Sequence, residues 1–243
     1  MPTHTRPDRP ALSYHHRPGT GPTIVFLPGY ASDMTGSKAL ALDAWAADTG
    51  RAMLRLDYAG CGTSDGAFED QILTDWRDDV LTLIDTVVEG PILLVGSSMG
   101  GWLMLLVALA RPDRIAGLVG IAAAPDFTAW GYDDAARAIM ARDGRFVEPS
   151  DYGDPMVITQ RFWESGQASL LLLDTPIAID VPVRLLHGQA DRDVPFAISL
   201  RLADVLRSAD VQTILVKDGD HRLSRPQDIA LLIATVDRLL DTL

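Results

Sequence analysis

The chain has 243 residues, of which 47% are hydrophobic and 22% are charged, a composition that fits a folded globular protein and excludes a disordered one. Its 33 acidic and 21 basic residues give a formal net charge of −12, which disfavours contact with nucleic-acid phosphates, so no nucleic-acid partner is expected. The single cysteine, Cys61, excludes an internal disulfide and a metal site built from several thiolates.

The start of the chain is rich in proline and in basic side chains, which predicts a flexible lead-in over residues 1–20. No apolar run of the kind found in an export signal follows it. The longest apolar stretch, about Met99 to Ala110, is too short to cross a bilayer, so no integral membrane segment is expected. A cytoplasmic location is the resulting expectation.

From residue 23 onward, apolar strand patterns alternate with helical patterns. The predicted strands cover residues 23–27, 51–57, 92–95, 115–122, 181–186 and 211–216. The predicted helices cover 37–48, 71–88, a segment ending at 110, 196–206 and 226–240. This alternation indicates βαβ crossovers and therefore an α/β fold, with a mostly parallel central sheet and helices on both faces.

The alternation breaks between about residues 125 and 179, where aromatic residues accompany short helical fragments; they include Trp130, Tyr132, Tyr152, Phe162 and Trp163. An aromatic-rich insertion between two halves of one sheet predicts a small helical cap over an active site; a peripheral helical subdomain is the alternative. The whole chain, 1–243, is then one α/β domain that carries this cap insertion.

A G-x-S-x-G motif follows the predicted strand at 92–95 and precedes an apolar helix. This context predicts a nucleophile elbow, in which glycines at Gly96 and Gly100 permit a tight strand-to-helix turn that exposes the hydroxyl of Ser98. Ser97 flanks the turn, and its side chain is expected to face away. A glycine-rich turn without catalysis is the alternative interpretation.

A serine hydroxyl is a weak nucleophile and needs a base that a third group holds in place. In this kind of fold the chain order is serine, acid, histidine, and only His187 and His221 follow Ser98. His187 precedes every candidate acid and is expected to be structural. His221, in the loop between the last strand and the last helix, is therefore the predicted base.

The acid is expected in the loop that follows the strand at 181–186. Asp191 and Asp193 both qualify by order. Asp191 is favoured because it lies nearer the end of the strand, whereas Asp193 is placed to cap the helix that begins near Pro195.

An oxyanion hole needs two backbone N–H donors. The N–H of Met99, at the start of the helix after the elbow, is one candidate. The turn after the first central strand, Pro28-Gly29-Tyr30, offers the N–H of Tyr30 as the second; an ordinary strand-ending turn is the alternative.

Other motifs do not reach the pattern of a cofactor site. Gly60 and Gly62 follow a strand but lack the third glycine of a dinucleotide-binding loop, and the pair His15-His16 has no partners at metal-ligand spacing. No cofactor and no metal are expected. The acidic residues Asp75, Asp78 and Asp79 indicate a solvated helix face.

Together these features resemble the α/β-hydrolase superfamily, and more narrowly its mitochondrial S-depalmitoylase and acyl-glucuronide esterase group. The similar blocks extend over most of the chain from about residue 22, and they include Phe26-Leu27-Pro28-Gly29-Tyr30, Arg55-Leu56-Asp57-Tyr58, Val95-Gly96-Ser97-Ser98-Met99-Gly100-Gly101-Trp102, Arg184-Leu185-Leu186-His187-Gly188 and Asp220-His221-Arg222. The resemblance implies that Ser98 is the nucleophile, Asp191 the acid and His221 the base. It also implies that Tyr30 and Met99 form the oxyanion hole.

The function expected from these features is a serine hydrolase that cleaves carboxylic thioesters or esters through an acyl-enzyme. Its substrate would be a small molecule or an acylated protein, as in a depalmitoylase-like thioesterase or a carboxylesterase, and the cap aromatics suggest an apolar acyl pocket. The alternatives are a peptidase or amidase, a cofactor-free perhydrolase that uses the same triad, and a non-catalytic ligand-binding protein of the same fold.

Overall fold

A computed structural model describes residues 2–149, 155–173 and 175–243 of the chain. Its strands are β1 (Thr3–Arg6), β2 (Arg9–Arg17), β3 (Thr20–Leu27), β4 (Arg51–Leu56), β5 (Ile92–Ser97), β6 (Ile115–Ile121), β7 (Arg145–Glu148), β8 (Met156–Thr159), β9 (Val183–Gly188) and β10 (Val211–Val216). Its helices are α1 (Ser37–Thr49), α2 (Leu73–Thr86), α3 (Met99–Ala110), α4 (Phe127–Trp130), α5 (Asp134–Asp143), α6 (Gln160–Gln167), α7 (Ala197–Val205) and α8 (Pro226–Leu240).

Eight of these strands form one sheet in the order β1-β2-β4-β3-β5-β6-β9-β10. Every pairing from β4 to β10 is parallel, and β2 joins β4 in the antiparallel sense. The carboxyl ends of the parallel strands therefore meet at one edge, where the loops after β3, β5, β9 and β10 converge. The expectation of an α/β fold with a mostly parallel sheet is confirmed.

The expected flexible lead-in over residues 1–20 is wrong, because residues 3–17 form the antiparallel edge of the sheet. β2 pairs with β4 from Tyr14 opposite Leu56 to Arg17 opposite Met53, and β1 folds back on β2. The proline Pro7 lies in the turn between β1 and β2, and Pro10 lies at the second position of β2. Proline is tolerated at such edge positions, so the proline content did not indicate disorder here.

The central strands are buried on both faces, which explains their continuous apolar sequence. In β3, Val25 faces the core under α2 and α3, whereas Ile24 and Phe26 face a second core under α1 and α8. α3 lies in the larger core and nine of its residues are buried, so its apolar character extends all round the helix. None of the helices in the described ranges is long and apolar enough to cross a membrane.

The insertion between β6 and β9, residues 125–179, is called the cap segment here. It contains the helices α4, α5 and α6, as expected, and it also contains an antiparallel hairpin of β7 and β8 that the sequence did not predict. Two contacts bind α4 to α6: the indole of Trp163 donates to the Thr128 carbonyl at 2.9 Å, and the Gln167 amide donates to the Thr128 hydroxyl at 3.0 Å.

Asp79 on α2 does not belong to a solvated face, contrary to expectation, because its side chain is 2% exposed. One carboxylate oxygen accepts a hydrogen bond from Arg6 of β1, and the other accepts the Ala59 N–H at 2.8 Å. Burial raises the pKa of Asp79 above its usual range, against the hydrogen bonds from Ala59 and Arg6 that favour the charged form. Asp79 therefore links α2 to the edge strand β1 and to the loop after β4.

Substituting Arg6→Met would leave the Asp79 carboxyl buried without its charged partner. We expect the free energy of unfolding to fall by about 3 kcal/mol near neutral pH. An unpaired buried carboxyl has a raised pKa, so the folded state binds more protons than the unfolded state as the pH falls through that value. The deficit should therefore shrink towards acidic pH, as denaturant titrations across the pH range would measure.

Arg9→Met is the matched control for this prediction. Arg9 and Asp78 form an exposed pair at 3.9 Å, with side chains 49% and 34% exposed. Its loss should change the free energy of unfolding by less than about 0.5 kcal/mol at every pH. Equal effects of the two substitutions would contradict the role assigned to Asp79.

Candidate active site

The turn between β5 and α3 holds Ser98 in a strained conformation, with φ 54° and ψ −121°. A non-glycine residue with positive φ costs about 1–3 kcal/mol and persists only where its surroundings fix it. Here the Ser98 N–H donates to the Ile121 carbonyl at 2.9 Å, and the Ser98 carbonyl accepts from Gly101 at 2.8 Å and from Ala124 at 3.0 Å. The turn leaves Ser98 partly exposed at the carboxyl edge of the sheet, whereas Ser97 is buried.

The two glycines of the motif are required by close backbone contacts. A Cβ atom at Gly96 would lie 2.3 Å from the Gly100 carbonyl oxygen, and one at Gly100 would lie 2.1 Å from the Leu27 carbonyl oxygen. A side chain at Gly96 would force α3 away from β5, and a side chain at Gly100 would force the elbow away from β3. The same packing brings the loop after β3 beside the serine, since a Cβ atom at Gly29 would lie 3.3 Å from the Ser98 Cβ.

The structure brings together three of the side chains expected from the sequence. His221, in the loop after β10, lies with Nε2 3.1 Å from the Ser98 Oγ and with Nδ1 2.8 Å from the Asp191 Oδ2. The His221 side chain is 16% exposed and the Asp191 side chain is fully buried. The imidazole therefore connects a buried carboxylate to a hydroxyl that solvent can reach, which is the geometry of a proton relay.

The carboxylate of Asp191 is surrounded by hydrogen-bond donors. Its Oδ1 accepts the backbone N–H groups of Asp193 at 2.9 Å and Val194 at 2.8 Å. Burial opposes its ionisation, but the hydrogen bonds from His187 and His221 prevail and hold the pKa of Asp191 well below its usual range. Asp191 is thus an anion throughout the physiological pH range.

Asp193 contributes to the site through its backbone N–H, which donates to the Asp191 Oδ1. Its expected role as the cap of the helix near Pro195 is wrong, because α7 begins at Ala197 with Phe196 at the N-cap position. Of the two candidate acids, the structure places Asp191 against His221, as its position near the end of β9 indicates.

A contact between His187 and Asp191 was not expected from the sequence. His187 is fully buried, and its Nε2 lies 3.1 Å from the Asp191 Oδ2. The available signal was the His-x-x-x-Asp spacing at the end of β9. In a tight turn this spacing brings the side chain of the fifth residue back to that of the first.

Both N–H groups expected in the oxyanion hole are unpaired among the residues described. Within the described part of the chain, neither the Met99 N–H nor the Tyr30 N–H has a hydrogen-bond acceptor. The Met99 N–H belongs to the first turn of α3, where the helix dipole also favours a negative charge.

Residues at the end of β4 and directly after it fix the loop that carries Tyr30. Asp57 accepts the Met34 N–H at 2.8 Å, Arg55 donates to the Met34 carbonyl at 2.7 Å, and the Tyr58 hydroxyl donates to the Pro28 carbonyl at 3.0 Å. The sequence block 55–58 was noted above only as part of a resemblance. Its contacts show that three of its four side chains hold the candidate oxyanion loop in place.

The side chain of Tyr30 lies at the centre of an aromatic cluster between this loop and the cap segment. Its ring packs edge-on at centroid distances of 5.0–6.1 Å against the rings of Phe68, Trp76, Phe127 and Phe162. Its hydroxyl donates to the Val157 carbonyl of β8 at 2.5 Å. Burial raises the pKa of Tyr30 well above its usual range, so the hydroxyl remains a donor.

Three acidic or imidazole side chains at the site come close enough to share a metal ion. Donor atoms of Asp191, Asp193 and His221 lie within 4.8 Å of one another. Two of these side chains already share a hydrogen bond through Asp191 Oδ2 and His221 Nδ1. An ion coordinated there would compete with the proton that orients the imidazole.

Comparison with known proteins identifies the family. The sequence matches the alpha/beta hydrolase family over residues 24–231. The chain belongs to this family. It is 42% identical over 242 residues to the human palmitoyl-protein thioesterase ABHD10, mitochondrial, covering 98% of this chain and 79% of that protein. Family membership confirms the expected enzyme class, a serine hydrolase of esters or thioesters.

Two solved structures agree over nearly the whole chain. The alpha/beta hydrolase domain-containing protein 10 from mouse superposes with a TM-score of 0.93 at 41% identity, covering 99% of this chain and 98% of that one. A putative hydrolase from Agrobacterium vitis S4 superposes with a TM-score of 0.92 at 38% identity, covering 98% and 97%.

The expected cytoplasmic location is wrong on these comparisons. The human, orangutan and cattle relatives, each 42% identical to this chain, are named as mitochondrial proteins. The expectation rested on the lack of an export signal and of a membrane span, and neither feature identifies a compartment.

Substituting Asp191→Asn should abolish most of the turnover. An amide at this position presents a donor to His221, which favours the wrong imidazole tautomer, so we expect kcat to fall on the order of 10⁴-fold with an intact fold. Asp193→Asn is the matched control, because it retains the backbone N–H donated to Asp191, and its kcat should stay within about threefold of the wild type. Steady-state ester hydrolysis measures both, and a loss confined to the Asp193 variant would reverse the assignment.

Substituting Tyr30→Phe removes the hydrogen bond to Val157 and leaves the ring and the backbone N–H in place. We expect the free energy of unfolding to fall by about 1 kcal/mol, while turnover of a short-chain ester stays unchanged. Denaturant unfolding and acetate-ester kinetics measure the two effects. A large loss of acetate turnover would mean that the hydroxyl itself takes part in the reaction.

Proposed function

We propose that this protein hydrolyses carboxylic thioesters, and oxygen esters more slowly, through an acyl-enzyme on Ser98. The observation that carries the proposal is the continuous hydrogen-bonded path from the buried Asp191 carboxylate through His221 to the Ser98 Oγ, at 2.8 Å and 3.1 Å. The free N–H groups of Tyr30 and Met99 supply the two donors that an oxyanion needs.

In the first half of the reaction, His221 Nε2 accepts the proton of Ser98 as its Oγ attacks the acyl carbonyl carbon. The tetrahedral oxyanion is stabilised by the N–H groups of Tyr30 and Met99, and Asp191 stabilises the imidazolium that forms. Collapse breaks the carbon–sulfur or carbon–oxygen bond, and His221 gives its proton to the leaving group. Water deprotonated by His221 then releases the carboxylic acid and regenerates Ser98.

The similarity to a palmitoyl-protein thioesterase over 98% of the chain supports a depalmitoylase-like activity on acylated proteins. The leaving group favours thioesters on chemical grounds as well, because a thiol has a pKa of about 8.5 and departs with little protonation. An amine leaves only when it is protonated, so a peptidase or amidase would need complete proton transfer from His221 to the leaving group.

The aromatic cluster around Tyr30 supports an apolar acyl site. The rings of Tyr30, Phe68 and Phe127 are partly exposed, and Trp76 and Phe162 are buried behind them. An acyl chain that extends from the ester on the Ser98 Oγ along the loop after β3 would run towards these rings. Burial of each methylene against them contributes about 0.8 kcal/mol, so longer chains should bind more tightly.

Labelling with a fluorophosphonate probe tests the nucleophile. Ser98→Ala should lose labelling and reduce ester turnover on the order of 10⁴-fold or more. Ser97→Ala, at the adjacent buried serine, is the matched control and should retain both. Labelling that persists in the Ser98 variant would contradict the proposal.

A matched substrate series tests the leaving group and the acyl chain. We expect an S-palmitoylated peptide to be cleaved faster than its O-acyl serine counterpart, with no detectable cleavage of the N-acyl form. Among p-nitrophenyl esters, kcat/KM should rise from acetate to medium chains. Preference for acetate throughout would rule out the acyl site, and comparable amide cleavage would support the peptidase alternative.

A further inference from the structure

Two histidines, one of them outside the proposed triad, bind the same carboxylate oxygen. The Oδ2 of Asp191 lies 2.8 Å from the Nδ1 of His221 and 3.1 Å from the Nε2 of His187. Both the His187 and the Asp191 side chains are 0% exposed. The triad acid thus has a second imidazole partner that water cannot replace.

The contacts of His187 fix where its proton lies. Its Nε2 lies 3.1 Å from the Asp191 Oδ2 and 3.0 Å from the Val194 carbonyl oxygen. Neither a carboxylate nor a carbonyl can donate, so this nitrogen carries a proton and shares it between them. The other nitrogen, Nδ1, lies 2.7 Å from the Ser199 Oγ on α7 and accepts the hydroxyl proton when the ring is neutral.

The resulting path is continuous through five side chains. The Ser199 hydroxyl donates to His187, which donates to Asp191; from the other end, Ser98 donates to His221, which donates to the same carboxylate. A polar residue that is completely buried is stable only when its donors and acceptors are satisfied, and His187 satisfies its own through the triad acid.

We propose that His187 is a positioning residue that holds the charge and the orientation of the Asp191 carboxylate during catalysis. This inference rests on the proposed function of the triad. The His187 N–H fixes the direction of Oδ2, while the N–H groups of Asp193 and Val194 fix Oδ1, so the carboxylate cannot rotate away from His221.

The same hydrogen bond limits how strongly Asp191 attracts the proton of His221. A carboxylate that gives part of its charge to one donor stabilises a neighbouring imidazolium less. Without the His187 N–H, the imidazolium of His221 becomes more favourable, and a larger fraction of the enzyme has its base already protonated. Removing the donor should therefore move the acidic limb of the pH–rate profile to higher pH.

The test compares His187→Met with His187→Gln. The two side chains have similar size, but only glutamine presents an N–H near the place of Nε2. We expect the methionine variant to shift the acidic limb of kcat/KM upward by about 0.5 pH unit and to lower kcat with little change in KM. The glutamine variant should return the limb towards the wild-type position. Rates are normalised to the sites that a fluorophosphonate titrates, so partial misfolding does not enter the comparison.

The inference would be overturned if the acidic limb of the methionine variant lay at the wild-type pH. Equal pH–rate profiles of the methionine and glutamine variants would also overturn it. A second measurement needs no substitution: imidazole ¹⁵N shifts of the wild-type protein should show the Nε2–H form of His187 at neutral pH, and an Nδ1–H form would overturn the inference even if the methionine variant fails to fold. Turnover that survives Ser98→Ala would instead refute the proposed function, so the two failures are distinguishable.

Discussion

The backbone strain at Ser98 is the constraint on which the site depends. A residue with φ 54° between a strand and a helix requires neighbours that allow close contact, and glycines at Gly96 and Gly100 provide that contact with α3 and β3. The strain also fixes direction: the hydroxyl rises from the sheet edge while the first N–H of the helix stays free. The proposed nucleophile and one candidate oxyanion donor are therefore products of the same turn.

Electrostatics at the opposite end of the relay depend on the burial of Asp191. In an apolar interior a lone carboxylate would become neutral, and it would then lose its hold on the imidazole. Four donors prevent this, two from the backbone of the turn and two from histidines. The loop after β9 thus stabilises a buried carboxylate anion, although the net charge of −12 on the whole protein disfavours a further negative group.

The central sheet, the elbow and the order of the relay residues could be predicted from the sequence, because each leaves a local pattern. Buried parallel strands are continuous apolar runs, and the elbow at Ser98 is a motif with a fixed context. Contacts between distant segments left no such pattern. The prolines near Pro7 indicated disorder although partners far along the chain complete the strand, and Asp79 resembled a surface acid because its partner lies 73 residues away. The contact of His187 with Asp191 is local, and the His-x-x-x-Asp spacing was its one sequence signal; that spacing alone does not show that the turn folds the carboxylate back onto the imidazole.

Tyr30 contributes two different parts to the molecule. Its main chain belongs to the loop that Arg55, Asp57 and Tyr58 anchor. Its phenol hydroxyl donates a hydrogen bond to β8 of the cap segment. Displacement of β8 would break the hydrogen bond of the phenol, whereas the hydrogen bonds that anchor the loop at Pro28 and Met34 do not involve the cap segment. The contact of Tyr30 with the cap and the position of its main chain are therefore set by separate interactions.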